Sequence, residues 1–149
     1  MEDDYTEISN DSAIAFVRKV HTRNGVRMEI YSPESEKRVY LDPLLIESLS
    51  WQTSETFSDT LENPPEITNT KQGEAQIEAE NDYTEFTNEF AYTLVRKVRI
   101  RDGARLEILA PKLDYQTYLD APLLESLTWQ TTATFSRFLE EPYGPRDTH

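Results

Sequence analysis

The chain spells itself twice. Displaced by 78 residues it aligns with itself without a gap. Asp4-Tyr5-Thr6-Glu7 falls on Asp82-Tyr83-Thr84-Glu85, Val17-Arg18-Lys19-Val20 on Val95-Arg96-Lys97-Val98, and Trp51-Gln52-Thr53 on Trp129-Gln130-Thr131. Roughly half of the ~60 paired positions are identical, and a repeat of that period has to be found before any element is assigned. The copies run from 1 to 64 and from 82 to 145. Residues 65–81, rich in Glu, Thr, Asn and Gln, read as an acidic linker, and 146–149 as a tail. Fully extended, such a linker spans up to ~55 Å. A unit of ~60 residues without a disulfide or metal buries only a marginal core. Two units on one chain are therefore expected to pack as a pseudo-two-fold dimer, with the linker raising the effective concentration of one half for the other.

Within each copy the residues predict β-β-β-α-α, so the fold class is α+β with antiparallel sheet. Phe90 to Arg101 is rich in Val, Ile, Tyr and Thr and reads as a strand, and Arg101-Asp102-Gly103 is turn chemistry. A three-residue hairpin loop is expected. It puts Ile100 opposite Ala104 and Val98 opposite Leu106, and gathers Leu94, Val98, Ile100, Leu106 and Ile108 on one face. In the first copy the same register sets Val20 against Met28 and Thr22 against Val26. Pro33 and Pro111 end the second strand, since proline donates nothing to a ladder. Segments 38–41 and 116–119 read as a third strand. Asp42 followed by Pro43 reads as a helix start, and Thr53 as a second N-cap ahead of a helix over 54–62. The recurring Asp-Tyr-Thr-Glu segments suggest extra edge strands.

The chain carries 28 Asp and Glu against 15 Lys and Arg, a net charge of -13. That argues against nucleic acid, whose phosphates call for an excess of basic residues. No apolar run approaches the ~18 residues of a membrane span. The opening Met1-Glu2-Asp3-Asp4 lacks the basic-then-apolar start of a secretory signal, so a cytoplasmic protein is expected. There is no Cys, which removes disulfides and thiolate chemistry. None of the four Gly fall in a dinucleotide or phosphate-binding pattern, and no nucleophile elbow is present. His21 is replaced by Arg99 in the second copy, which excludes a repeated His site. The sequence thus offers no catalytic residues, cofactor site or metal site.

Three groups of residues are candidates for binding. Arg18 and Arg96 fall, in the expected register, on the apolar face. There they either snorkel to a helix Glu, contact an anion, or are turned outward by a bulge. The opposite hairpin face is basic within an acidic chain. It holds Lys97, Arg99, Arg101 and Arg105, with Arg99 expected directly opposite Arg105, and Lys19 and Arg27 as counterparts. It reads either as a solvated face met by carboxylates or as a docking surface for an acidic partner protein. The best-kept block places Glu47 and Glu125 on short helices just before Trp51 and Trp129. These are either core and surface, or a pocket in which a carboxylate beside Trp is tuned upward.

The phrases VRKVRIRDGARLEI, YLDAPLLESLTWQT and FSRFLEEPYGP resemble a family of short bacterial and archaeal proteins of one unit each, often labelled dihydrodiol dehydrogenase. The resemblance covers each copy nearly end to end, from Asn88 to Pro145 in the second. The first copy departs at Asn63-Pro64-Pro65. It implies a small protein associated with catabolic oxidoreductase or oxygenase genes rather than a dehydrogenase. Three readings follow: a non-catalytic accessory protein that binds a larger enzyme, a small-molecule binder or enzyme with a pocket between the copies, and a structural subunit of a complex.

Overall fold

Alternating apolar residues and firm turn chemistry give each copy an antiparallel sheet followed by two helices. The computed structural model describes residues 5–65, 77–100 and 103–140. The first sheet has the order β1(Thr6–Ser9), β2(Ile14–Thr22), β3(Gly25–Ser32), β4(Lys37–Leu41). It is followed by α1(Pro43–Ser50) and α2(Ser54–Thr60). In the second copy β5(Ile77–Ala79) and β6(Thr84–Thr87) both pair with β7(Tyr92–Ile100), which continues to β8(Gly103–Ala110) and β9(Tyr115–Leu119). Helices α3(Ala121–Leu127) and α4(Thr132–Glu140) follow. The fold is α+β. The Asp-Tyr-Thr-Glu segments do lead into edge strands, so the unit is β-β-β-β-α-α rather than β-β-β-α-α. The segment read as a linker ends in a strand, because Ile77 lies opposite Ile100 along the stretch of β7 beyond β6.

The helix starts follow the local chemistry. Asp42 and Asp120 accept from the backbone N–H groups of Leu45 and Leu123, satisfying donors that a helix N-terminus leaves open. Thr53 and Thr56 form a reciprocal capping box at α2.

The hairpin register differs from expectation by one residue. The turn in the first copy is the two-residue Arg23-Asn24, closed by Thr22 opposite Gly25. Gly25 and Gly103 hold φ of 118° and 140°, a region that side chains disfavour. Lys97 therefore faces Leu106, Val98 faces Arg105 and Arg99 faces Ala104, with Lys19 against Met28 and Val20 against Arg27 in the first copy. A slip of one residue exchanges the two sheet faces. Leu94, Val98 and Ile100 share the outer face, whereas Val95, Leu106 and Ile108 share the inner one. Arg99 and Arg105 consequently point to opposite faces, and their like charges never meet.

The inner faces build one hydrophobic core that contains Met28, Ile30, Leu41, Ile46 and Leu49 together with Leu106, Ile108, Leu119, Leu123 and Leu127. Helix α1 packs against β7 and β8 of the second copy, and α3 against β2 and β3 of the first. At the far side of the helices Phe57 and Phe138 meet edge to face at 5.6 Å. A smaller cluster on the outer face of the second sheet joins Val98, Ile100 and Tyr118, with Ile77 packed against it.

Candidate functional site

The shifted register sets Arg18 directly opposite Glu29 and Arg96 directly opposite Glu107, on the outer faces. Each carboxylate is shielded from solvent and saturated with donors. Glu29 receives Arg18 Nε at 2.7 Å, Arg38 Nη1 at 2.8 Å and the Tyr5 hydroxyl at 2.7 Å. Glu107 receives Arg96 Nε at 2.6 Å, the Tyr83 hydroxyl at 2.9 Å and the Gln116 amide. Each tyrosine ring also lies under its arginine, 4.4 Å from Arg18 and 4.2 Å from Arg96. The arginine partner is thus a strand glutamate, not a helix one. Tyr5 and Tyr83 are members of this cluster that sequence reasoning passed over. Their signal was the retention of Tyr, Arg and Glu at matching positions of both copies.

The electrostatics suit a structural clasp better than a catalytic group. Burial alone would raise Glu29, but the hydrogen bonds from Tyr5 and Arg18 and the charge of both guanidiniums hold it below the ordinary carboxylate range. Burial and the adjacent Glu107 carboxylate push the Tyr83 phenol up to about 12. The same causes raise Tyr5 beside Glu29. A carboxylate so stabilised in its ionised form is a weak proton acceptor.

The other candidates are dispersed. Arg99 pairs with Glu80 at 2.9 Å, Arg105 is buried and donates to the Ala104 carbonyl, and Arg27 donates to the Val26 carbonyl. Arg101 lies outside the described residues. Lys19 and Lys97 stand on the inner faces and line a cleft between the sheets together with Arg18 and Arg96. Glu47 lies elsewhere, in a hollow with Tyr92 and Lys112. Burial raises its carboxyl, against a hydrogen bond from the Tyr92 backbone and the Lys112 charge. Glu125 accepts from the Ser32 hydroxyl of the first copy at 3.0 Å.

The Trp-Gln-Thr blocks turn out to join the copies. Trp129 Nε1 and Gln130 Nε2 donate to the Glu62 carbonyl at 3.2 and 3.1 Å, and Glu62 N–H returns a bond to Gln130. Gln52 donates to the carbonyls of Ser48 and Phe138, and Trp51 meets Tyr115 edge-on at 6.4 Å. Trp51, Trp129, Glu47 and Glu125 are therefore placed at contacts between the copies.

Among the described residues no group of three or more His, Asp or Glu is arranged to hold a metal ion. No described helix is long and apolar enough to cross a membrane. No protein-family model matches the chain, and no curated protein matches it.

Proposed function

We propose that this is a non-catalytic accessory protein of the cytoplasm, in which two copies close on each other as a pseudo-two-fold dimer and the outer sheet face of the first copy docks on a larger enzyme. The exchange of helices, with α1 on the second sheet and α3 on the first, supports the pairing. So does the continuous core to which both copies contribute.

One observation carries the docking reading. Tyr40 is 49% exposed, while its counterpart Tyr118 is 8% exposed. Around Tyr40 the first sheet presents Phe16, Tyr31 and Arg38, with the Arg38 guanidinium 4.5 Å over the Tyr31 ring. Tyrosine, phenylalanine and arginine are the residues enriched where protein partners bind. This aromatic and arginine face takes the place of the basic hairpin as the docking surface, because Arg99 and Arg105 lie on opposite faces of the sheet and form no common patch. The family resemblance makes the partner an oxidoreductase or oxygenase.

The test is affinity capture from the source organism, comparing wild type with Tyr31→Ser/Tyr40→Ser. Loss of one specific enzyme from the variant, with its circular dichroism unchanged, supports the reading. Capture that is equal for both chains, or no specific enzyme with either, overturns it. Reversing the charge at Arg96 would not serve, since it breaks the buried contact with Glu107.

A further inference from the structure

A cleft of about 210 Å³ opens between the two sheets, and most of its lining comes in pairs, one residue from each copy. Thr6 and Thr84, Val17 and Val95, and Lys19 and Lys97 are each 78 positions apart in the sequence. Phe86 and Leu106 complete an apolar floor. The two lysines sit on inner strand positions, opposite Met28 and Leu106, where an apolar side chain would be expected. Both are half-buried, and the Lys19 ammonium stands 5.6 Å from the Phe86 ring centre. Among the described residues no carboxylate lines the cleft, although the chain as a whole carries a net charge of -13. Arg18 and Arg96 add positive charge at its edge, with their Nε atoms committed to Glu29 and Glu107.

We propose that this cleft binds a short organic dicarboxylate. Two ammonium groups and two hydroxyls present one anion subsite from each copy, and the apolar floor between them takes a short hydrocarbon span. Charge-assisted hydrogen bonds are the strong contacts available to such groups. The cleft is small beside the roughly 300–1,000 Å³ of sites for drug-sized ligands. A short dicarboxylate such as glutarate suits it. The site rests on the proposed pairing of the copies, and it is independent of the docking face.

Isothermal titration of the full chain with glutarate, acetate and inorganic phosphate tests it, using wild type, Lys19→Ala, Lys97→Ala, the double variant and Lys112→Ala, a lysine outside the cleft. The expected result is saturable binding of one glutarate, at least tenfold tighter than acetate or phosphate. Each cleft lysine substitution weakens it about tenfold, the double variant abolishes it, and Lys112→Ala leaves it unchanged. Absence of saturable glutarate binding, equal affinity for phosphate, or retention in the double variant overturns the proposal. Thermal unfolding of the same wild-type sample separates the two failures. One cooperative transition without glutarate binding sinks the cleft alone, whereas two separate transitions sink the pairing of the copies beneath it.

Discussion

The outer sheet faces of the two copies keep Arg, Val, Arg, Glu and Tyr at matching positions, from Arg18 and Arg96 to Tyr40 and Tyr118. But Phe16, Thr22, Tyr31 and Arg38 stand where the second copy has Leu94, Ile100, Leu109 and Gln116, and the copies treat the face differently. In the second copy Val98, Ile100 and Tyr118 are buried in a small second core, with β5 lying alongside β7. In the first copy the equivalents Val20 and Tyr40 are half-buried and exposed. Arg105 is buried where Arg27 is only half-buried. The second copy builds a core on this face with Ile100 and Ile77, whereas the first has Thr22 at the position matching Ile100 and, among the described residues, leaves Tyr40 exposed. An exposed tyrosine among aromatic and arginine side chains is the composition enriched where protein partners bind.

The largest test of that contrast lies in the buried carboxylates. Glu107→Ala is expected to destabilise the chain by about 3 kcal/mol, because it strips the buried partner from Arg96 and Tyr83. Glu29→Ala is expected to cost less, since Arg18 and Arg38 both reach water. Urea unfolding of the pair measures the difference, and a larger loss for Glu29→Ala would break the comparison. Next in size, Tyr118→Ala should cost about 2–3 kcal/mol as a buried aromatic truncation, against ~0.5 kcal/mol or less for Tyr40→Ala at an exposed site. Trp129→Phe removes one hydrogen bond to Glu62 and should cost about 1 kcal/mol. That substitution isolates the contribution of the clasp between the copies.

Titrations give smaller effects. Tyr83 lies above its ordinary value of 10.0, at about 12 in the folded chain. Its neutral hydroxyl therefore contributes stability that is complete below pH 10 and is lost as pH rises through 12. Phenolate absorbance should show both Tyr5 and Tyr83 ionising above the ordinary tyrosine range. Glu29 is held low, so its contribution is present above the ordinary carboxylate range and lost as pH falls through its folded value. Glu47 has the opposite sign. Its raised value favours the protonated form, so it opposes folding at neutral pH. Glu47→Gln is expected to raise the melting temperature slightly at pH 7 and to leave it unchanged in acid.

Much of the fold was legible in the sequence. Asp42-Pro43, Thr53 and Pro33 state their roles locally, and the structure follows them at the caps and strand ends. The hairpin register was not legible. Pairing apolar with apolar residues favoured a three-residue loop, yet the chain accepts Lys97 against Leu106 and Val98 against Arg105. The reason is that both sheet faces carry apolar groups, one against the helices and one in the outer cluster, so alternation could not choose between them. The candidate arginines were found, but their partners were misjudged, because a one-residue shift decides whether Arg18 meets Glu29. The contacts made by Trp129 and Gln52 join residues 67 and 86 positions away, beyond the reach of any local pattern.

Hydroxyl-radical footprinting of the purified chain, read residue by residue by mass spectrometry, tests the contrast between the copies most directly. The account expects Tyr40 to be oxidised several times faster than Tyr118. Equal rates at the two tyrosines, or faster oxidation of Tyr118, would contradict it and leave the docking face without its basis.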